Sequence, residues 1–578
     1  MSTKDEVTQV ETEHHADHHP TAAHIVPLAQ EATENAQHID LSWRSWVVVF
    51  ICSFAILAQV FVVVAAGSVL SFIIRELGDP AIASWVIQGP LLMQSVLSPL
   101  VGRLSDVLDR KLFATIPPVI ACIGSIVCAK ATSMTMLIGG GILIGTTLAT
   151  VSIVQSIPSE VLPLKYRAIA NGFAGAAGTL GGVLGGLSAG AVTNLGPTGW
   201  RYIFWIQVGL HGFTALGLGL LYWPKKRTDY PKMSFKQWTW ACDPIGCFLI
   251  TVAATLLLLA LNWAGGAYEW SDPHVYANLV VGFICLIAFC LYEWKGRSDG
   301  IVAHVFFAGG PNFLLSVFAF TVEGWIFYSA VNAITPQVVL NLGFENNSWD
   351  IAVRQLSYQM PFLAACVTVT WYSTKFKDLK TPLTVTYGVM LIASICYACI
   401  RPSWNVPQLV FGVMVGIGCA GPLTLLVACV QFTAPHAFLS TATGLAFSAR
   451  AIGGAFGTAV IYAIINGRIA SHYASDVGSA AIAAGLPQSS IGALLESMSG
   501  MSTATVPGAN ADIMKAAWDA SHWSYARAYR LGWWSVVPFV ALATISVACM
   551  TGVKELMTEK VEATVERESN EDLKMEKV

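Results

Sequence analysis

Glu323 is the first residue that demands a chemical role. It is the only acidic or basic residue in SVFAFTVEGWIFYSA, residues 316–330, among aromatic and aliphatic neighbours. A charge at the centre of an apolar helix costs at least ~2.5 kcal/mol on insertion scales, and such groups default to function. Burial also disfavours the ionised carboxyl. A carboxyl whose surroundings alternate between wetter and drier states gains and loses a proton, which makes Glu323 the candidate proton carrier. The alternative is a protonated Glu323 hydrogen-bonded to Asn332, Gln337 or Gln431. Arg450, in LAFSARAIGGAFG, is a second charge inside an apolar run. It either snorkels to the nearer membrane surface or serves a cavity. A third cluster is GRLSDVLDRK, Gly102 to Lys111. Gly102 lets two helices approach closely, and Asp106 sits at a helix end within reach of Arg110 and Lys111. Charges so placed either latch one helix bundle to another in one conformation or form a solvated loop.

Other reactive residue types lead nowhere. Among 13 cysteines the one tight pair is Cys396 and Cys399. No second pair or histidine accompanies it, so it reads as small apolar residues. His14, His15, His18, His19 and His24 lie in a polar N-terminal tail with no cysteine and no framework. No metal or cofactor is expected, and no nucleotide loop, nucleophile elbow or zinc motif suggests an enzyme. A net charge of −3 gives no reason to expect a nucleic-acid partner.

The elements that must position these groups are set by composition. Of 578 residues, 55% are hydrophobic and only 12% charged, with mean hydropathy +0.60. A soluble chain carries about 25% charge. The apolar residues come in long runs rather than the short alternating segments of a barrel, which predicts an all-α polytopic membrane protein. A spanning helix needs about 20 apolar residues. Such runs lie near 46–68, 81–101, 113–131, 137–157, 168–194, 201–223, 244–263, 275–294, 312–337, 350–372, 381–400, 407–431, 440–466 and 532–552. The weakest are the start of the tenth and the break between the third and fourth. With the N-terminus inside, the clusters RKL, LKYR, PKKR, WKGR and KFKDLK fall on the cytoplasmic side. Both termini are then cytoplasmic. The first 42 residues hold no signal-peptide core, so the first span is expected to act as an uncleaved signal. The tails, 1–43 and 554–578, read as disordered. Residues 467–531 form a long outer segment, read either as a surface helix over the outer mouth or as a passive linker.

The loop at Gly102, Leu104, Ser105, Asp106, Arg110 and Lys111 resembles the signature loop of the major facilitator superfamily, with Asp109 where that family usually has glycine. The fifth run, GFAGAAGTLGGVLGGLSAG, presents small residues that let helices pack backbone to backbone. It resembles the antiporter motif of the drug-efflux members at Gly181, Gly185 and Gly186, with Gly182 in place of the usual proline. The arginine many exporters carry in the fourth span is absent. EVLPLKYRAIANG, GWRYIFWIQ and DPIGCFLITVAATLLLLALNWAGGAYEW add to the likeness. Together they resemble the 14-span drug:proton antiporter branch, and within it the fungal trichothecene efflux pumps, kin of fungal siderophore-iron transporters.

That resemblance implies two six-helix bundles, 44–223 and 301–553, flanking a central cavity, with two extra helices in 224–300. Glu323 then lies about 17 Å along the ninth span at 1.5 Å per residue, near the bilayer midplane. Cavity candidates are Gln59, Gln155, Trp325, Tyr328 and Asn332. Gly416 to Pro422 is expected to break the twelfth span, as at many transporter sites. Asp243 reads as an interfacial or capping residue. The expected function is proton-coupled export of small amphipathic organic molecules, a fungal secondary metabolite or toxin, by a plasma-membrane protein. Its partners are the substrate, protons and lipid, and it is expected to be a monomer. The rival readings are a siderophore-iron importer on the same scaffold and a non-transporting nutrient sensor; the latter would call for a larger signalling tail.

Overall fold

The computed structural model describes residues 43–558 apart from 80–81, 84, 194, 197, 225–233, 265–267, 346–347 and 499–505. The histidine-rich tail and the chain beyond 558 lie outside the described residues. Fourteen long helices run in order: α1 Trp43–Leu77, α2 Trp85–Val107, α3 Arg110–Ala129, α4 Met134–Val161, α5 Arg167–Thr193, α6 Arg201–Leu221, α7 Pro244–Trp263, α8 Pro273–Leu291, α9 Asn312–Asn341, α10 Ser348–Phe376, α11 Lys380–Ala398, α12 Asn405–Thr433, α13 Leu439–Ala483 and α14 Ala511–Ala548. Among the described residues, twelve are long and apolar enough to cross a membrane. The exceptions are α2 and α10, which are long but more polar. α2 packs on α13 and has no exposed residue, and α10 turns one face to α5 across the second seam while Val353, Met360, Val367 and Trp371 stay exposed on the other.

The first bundle is α1–α6 and the second α9–α14. Of the extra pair, α7 lies against α2 and α13 and so straddles one seam, and α8 packs on α7. Asp243 caps α7, accepting from the Gly246 amide at 3.1 Å. Arg103 ties the pair to α2. Its Nε and Nη2 donate to the carbonyls of Ala241 and Asp299, each at 2.9 Å, and its guanidinium covers the Phe438 ring next to α13.

The glycines of α5 serve two neighbours. A Cβ on Gly181 would run into the Leu57 carbonyl of α1, and one on Gly185 would stand 2.7 Å from the Phe61 carbonyl. Gly172 and Gly190 instead admit Thr370 and Trp349 of α10. Gly182 and Gly186 have ordinary room, 3.6 Å and 3.9 Å to their nearest side chains. Gly181→Ala is therefore expected to destabilise by ~1–3 kcal/mol through overpacking, whereas Gly182→Ala should be near neutral. Thermal denaturation of the two purified variants measures the difference, and equal melting points would contradict it.

The stretch 467–531 does not leave the helices on either side of it. α13 runs on to Ala483 and α14 begins at Ala511, so the expected ends at 466 and 532 are corrected outwards. A small core of Val477, Ala481, Leu486, Leu494, Ile513 and Ala517 holds this projection together. It supplies apolar burial that the membrane does not. Likewise Gly416–Pro422 does not interrupt α12. The helix continues, with a π-helical turn at Pro422–Leu426.

Candidate functional site

Two groups that sequence reading kept apart meet between α9 and α13. Glu323 on α9 and Arg450 on α13 form a buried bidentate ion pair: Nε donates to Oε2 at 2.5 Å and Nη2 to Oε1 at 3.1 Å. Arg450 does not snorkel. It is 5% exposed and Glu323 0%. The pairing places a net-neutral unit in the apolar interior, which lowers the cost that either charge alone would impose. Glycines make the approach possible. Gly324 lies against the backbone carbonyl of Arg450, and Gly453, Gly454 and Gly457 receive Thr321, Tyr328 and Trp325 of α9. None of Asn332, Gln337 and Gln431 touches Glu323. Asn332 donates to the Phe327 carbonyl, Gln337 to Tyr462, and Gln431 belongs to another network.

The pair connects to the first bundle. Arg450 Nη1 donates to the Tyr328 hydroxyl at 2.8 Å, and that hydroxyl donates to Gln94 Oε1 of α2 at 3.4 Å. Two residues before Arg450, the Ser448 hydroxyl donates to the carbonyl of Ser95, the neighbour of Gln94. The rings of Phe320, Phe327 and Tyr328 surround the guanidinium at 4.7–5.4 Å, a favourable cation–π setting. From Trp325 to Ile334 α9 is π-helical, a distortion frequent at functional sites.

Toward the Gly102–Lys111 end, the carboxylate of Asp106 caps the start of α13. It accepts from the amides of Ser440 (3.2 Å) and Thr441 (2.7 Å), from the Thr441 hydroxyl (2.7 Å), and from Arg110 at 2.6 Å. A Cβ on Gly102 would run into the Ser440 carbonyl. Arg110 also pairs with Glu160, which His436 approaches at 3.2 Å. Lys111 is not in reach of Asp106; it lies over the Trp223 ring. Asp109 caps α3 through the Lys111 amide with φ −125°, so no glycine conformation is needed there. Deeper in the seam, Gln431 Oε1 accepts from Ser159 at 2.8 Å and Asn171 at 2.9 Å, while Arg167 donates to its carbonyl at 2.7 Å.

The remaining cavity candidates fall in several places. Gln59 donates to the Thr147 carbonyl inside the first bundle at 2.7 Å. Gln155 is buried, and its Oε1 has no protein donor. Trp325 packs on Phe456 and Phe539 within the second bundle. Asn332 is exposed and borders a crevice with α10. Gly416 seats α12 on the Tyr358 carbonyl, and Pro422 opens the π-helical turn. Sequence reading missed Gln94, Ser440, Thr441, Glu160, Arg167 and Asn171. The last three stand in EVLPLKYRAIANG, which had been noted for resemblance but given no role.

Known proteins match along most of the chain. The Major Facilitator Superfamily profile matches residues 49–458. The MFS-type transporter prx5 of Penicillium rubens is 25% identical over 524 residues, covering 89% of this chain and 93% of the relative. The Acurin A biosynthesis cluster MFS-type transporter of Aspergillus aculeatus is 25% identical over 460 residues, covering 78% and 79%. The efflux pump apf11 of Gibberella fujikuroi is 28% identical over 258 residues, covering 43% and 46%. Among solved structures, the proton:xylose symporter XylE has a TM-score of 0.53 at 14% identity, covering 74% of this chain and 90% of that one. The human organic anion transporter MFSD10 has 0.52 at 12%, covering 87% and 99%. Two six-helix bundles meeting at α2/α13 and α5/α10, with the signature loop capping α13, agree with the profile match over most of the chain: this protein belongs to the Major Facilitator Superfamily of membrane transporters.

Proposed function

We propose that the protein is a proton-coupled exporter of small amphipathic organic molecules, of the secondary-metabolite kind, in the plasma membrane with both termini cytoplasmic. The observation that carries this reading is the chain Glu323–Arg450–Tyr328–Gln94, which joins a buried carboxylate to the seam between the bundles. Protonating Glu323 removes its charge and leaves Arg450 without a counter-ion. The guanidinium then has reason to move, and it holds Tyr328 against α2. A proton taken up at mid-depth thus biases the packing of one bundle on the other, which is what coupling requires. On this reading the Asp106 cap on α13 closes the cytoplasmic end in one state and releases it in the other. Export is supported by the efflux pump among the relatives, and a metabolite cargo by the biosynthesis-cluster transporter.

The test is transport in vesicles holding the purified chain, with an imposed pH gradient and a panel of fungal metabolites as probes. Accumulation against a gradient that collapses with a protonophore is the expected result. Pumping that ignores the protonophore would overturn proton coupling.

A further inference from the structure

The two seams are built alike. At each, the second helix of one bundle packs on the fifth helix of the other: α2 on α13, and α10 on α5. At the first seam the acid at the end of α2, Asp106, caps the start of α13. The matching turn of the second bundle, between α10 and α11, does not do the same for α5. Its acid, Asp378, accepts from the Thr381 amide of α11 at 3.2 Å. The start of α5 is held by a different piece of chain.

That piece is a strap, 549–558, which runs from the end of α14 to the first bundle. At its root it is tied to Asn312, the first residue of α9. Asn312 Nδ2 donates to the Thr551 carbonyl at 3.1 Å, and the Thr551 amide donates back to Oδ1 at 2.9 Å. Met550, Val553 and Met557 are then buried, while Lys554, Glu555 and Leu556 stay exposed. The three buried residues belong to one apolar cluster with Leu164 and Ala168 of the first bundle. Residues 554–558, whose composition reads as the start of a disordered tail, are thus packed. At the far end the Thr558 carbonyl accepts from the backbone amide of Lys165 at 2.9 Å. Lys165 lies in the 3₁₀ turn Leu164–Tyr166 that leads into α5, where a carbonyl oxygen meets the positive, amide-rich end of a helix. Two residues on, Arg167 donates to the Gln431 carbonyl of α12 at 2.7 Å. The second bundle therefore grips the turn into α5 at two points.

We propose that the strap is a second latch at the end of the molecule that Asp106 closes, and that this end opens only when the strap releases the turn into α5. The inference rests on the transporter reading and gives that cycle a contact the mechanism above does not use. Opening moves the start of α5 away from α9 and α14, which root the strap. Either the Thr558 bond then breaks or Met557 is drawn out of its packing, and both contacts favour the closed state. The two latches share no residue. One is a carboxylate on amides, the other an apolar plug and a backbone carbonyl.

The test has two arms, both on the full-length chain in a background without native cysteines. In the first, Ser440→Cys reports opening by its rate of maleimide labelling in detergent, with no substrate and no gradient. Ser440 is fully buried at the opposite seam with its amide on Asp106, so fraying of the strap alone would not uncover it. Met557→Glu puts a charge where an apolar side chain is buried and should raise the rate about tenfold or more. Asn312→Ala frees the root and should raise it too; it also serves if Met557→Glu fails to fold. Met557→Leu should label at the parental rate. In the second arm Lys165→Cys/Thr558→Cys, which leaves the backbone hydrogen bond in place, is joined by a short bismaleimide. Linking should abolish transport in vesicles, while the unlinked variant transports near the parental rate. Unchanged labelling in both Met557→Glu and Asn312→Ala, or full transport after linking, would overturn the latch. Pumping that ignores a protonophore would sink the proton coupling proposed above and leave this latch standing.

Discussion

Glu323→Gln is expected to abolish accumulation against a gradient while downhill exchange partly survives. One proton moving through a 100 mV potential is worth ~2.3 kcal/mol, enough for roughly 50-fold accumulation at one proton per cycle. The glutamine keeps the shape of the side chain and one acceptor for Arg450 but binds no proton in this range. The accumulation ratio should fall to about one. Arg450→Gln should uncouple as well, for the complementary reason: Glu323 loses the counter-ion through which its charge acts on Tyr328 and α2. Removing one member of a buried pair typically costs ~3–5 kcal/mol, so each single variant should also melt earlier than the parent. The double variant, with no charge left, should recover most of that loss and remain uncoupled. A double-mutant cycle on melting temperature and accumulation separates the two effects. Uphill accumulation by Glu323→Gln at the parental level would remove Glu323 from the mechanism.

Asp106→Asn and Gly102→Val should open the end of the seam that Asp106 closes. Asp106 satisfies two backbone amides and a hydroxyl at the start of α13, where a negative charge is favoured by the helix dipole. Losing that charge costs ~1–3 kcal/mol of the closed state. Each 1.4 kcal/mol shifts a two-state population tenfold. Gly102→Val acts by shape, because its Cβ would occupy the place of the Ser440 carbonyl. The readout is maleimide labelling of Ser440→Cys in a background without native cysteines, since Ser440 is fully buried with the cap in place. Labelling should rise about tenfold or more in both variants, with transport reduced. Unchanged labelling would mean that the cap does not hold the closed state.

Much of this was legible from the chain alone. Long apolar runs announced the helices, because a span must satisfy its own backbone and face lipid. Glu323 stood out because charge in such a run is rare. Asp106 and Arg110 stand four residues apart across the turn between α2 and α3, close enough in the chain for their contact to be expected. The Arg450 side chain could not be placed in the same way. Its partner is 127 positions away, and no local pattern says whether a charge near a helix middle turns to lipid surface or to another helix. The glycines that seat α9 on α13 looked like general packing residues until the helices they receive were known. The tenth run was a weak span on hydropathy because one face of α10, with Arg354, Gln355 and Gln359, turns to other helices while Val353, Met360, Val367 and Trp371 stay exposed on the other.

The amino-acid order by itself determined the all-helical class of fold and singled out the isolated carboxyl, because hydrophobic length and helical repeat are local properties. Only the tertiary structure decided which charge neutralises Glu323 and which helix start Asp106 caps. Those outcomes depend on how two bundles are apposed, and contacts between residues far apart in the chain leave no periodic trace in it.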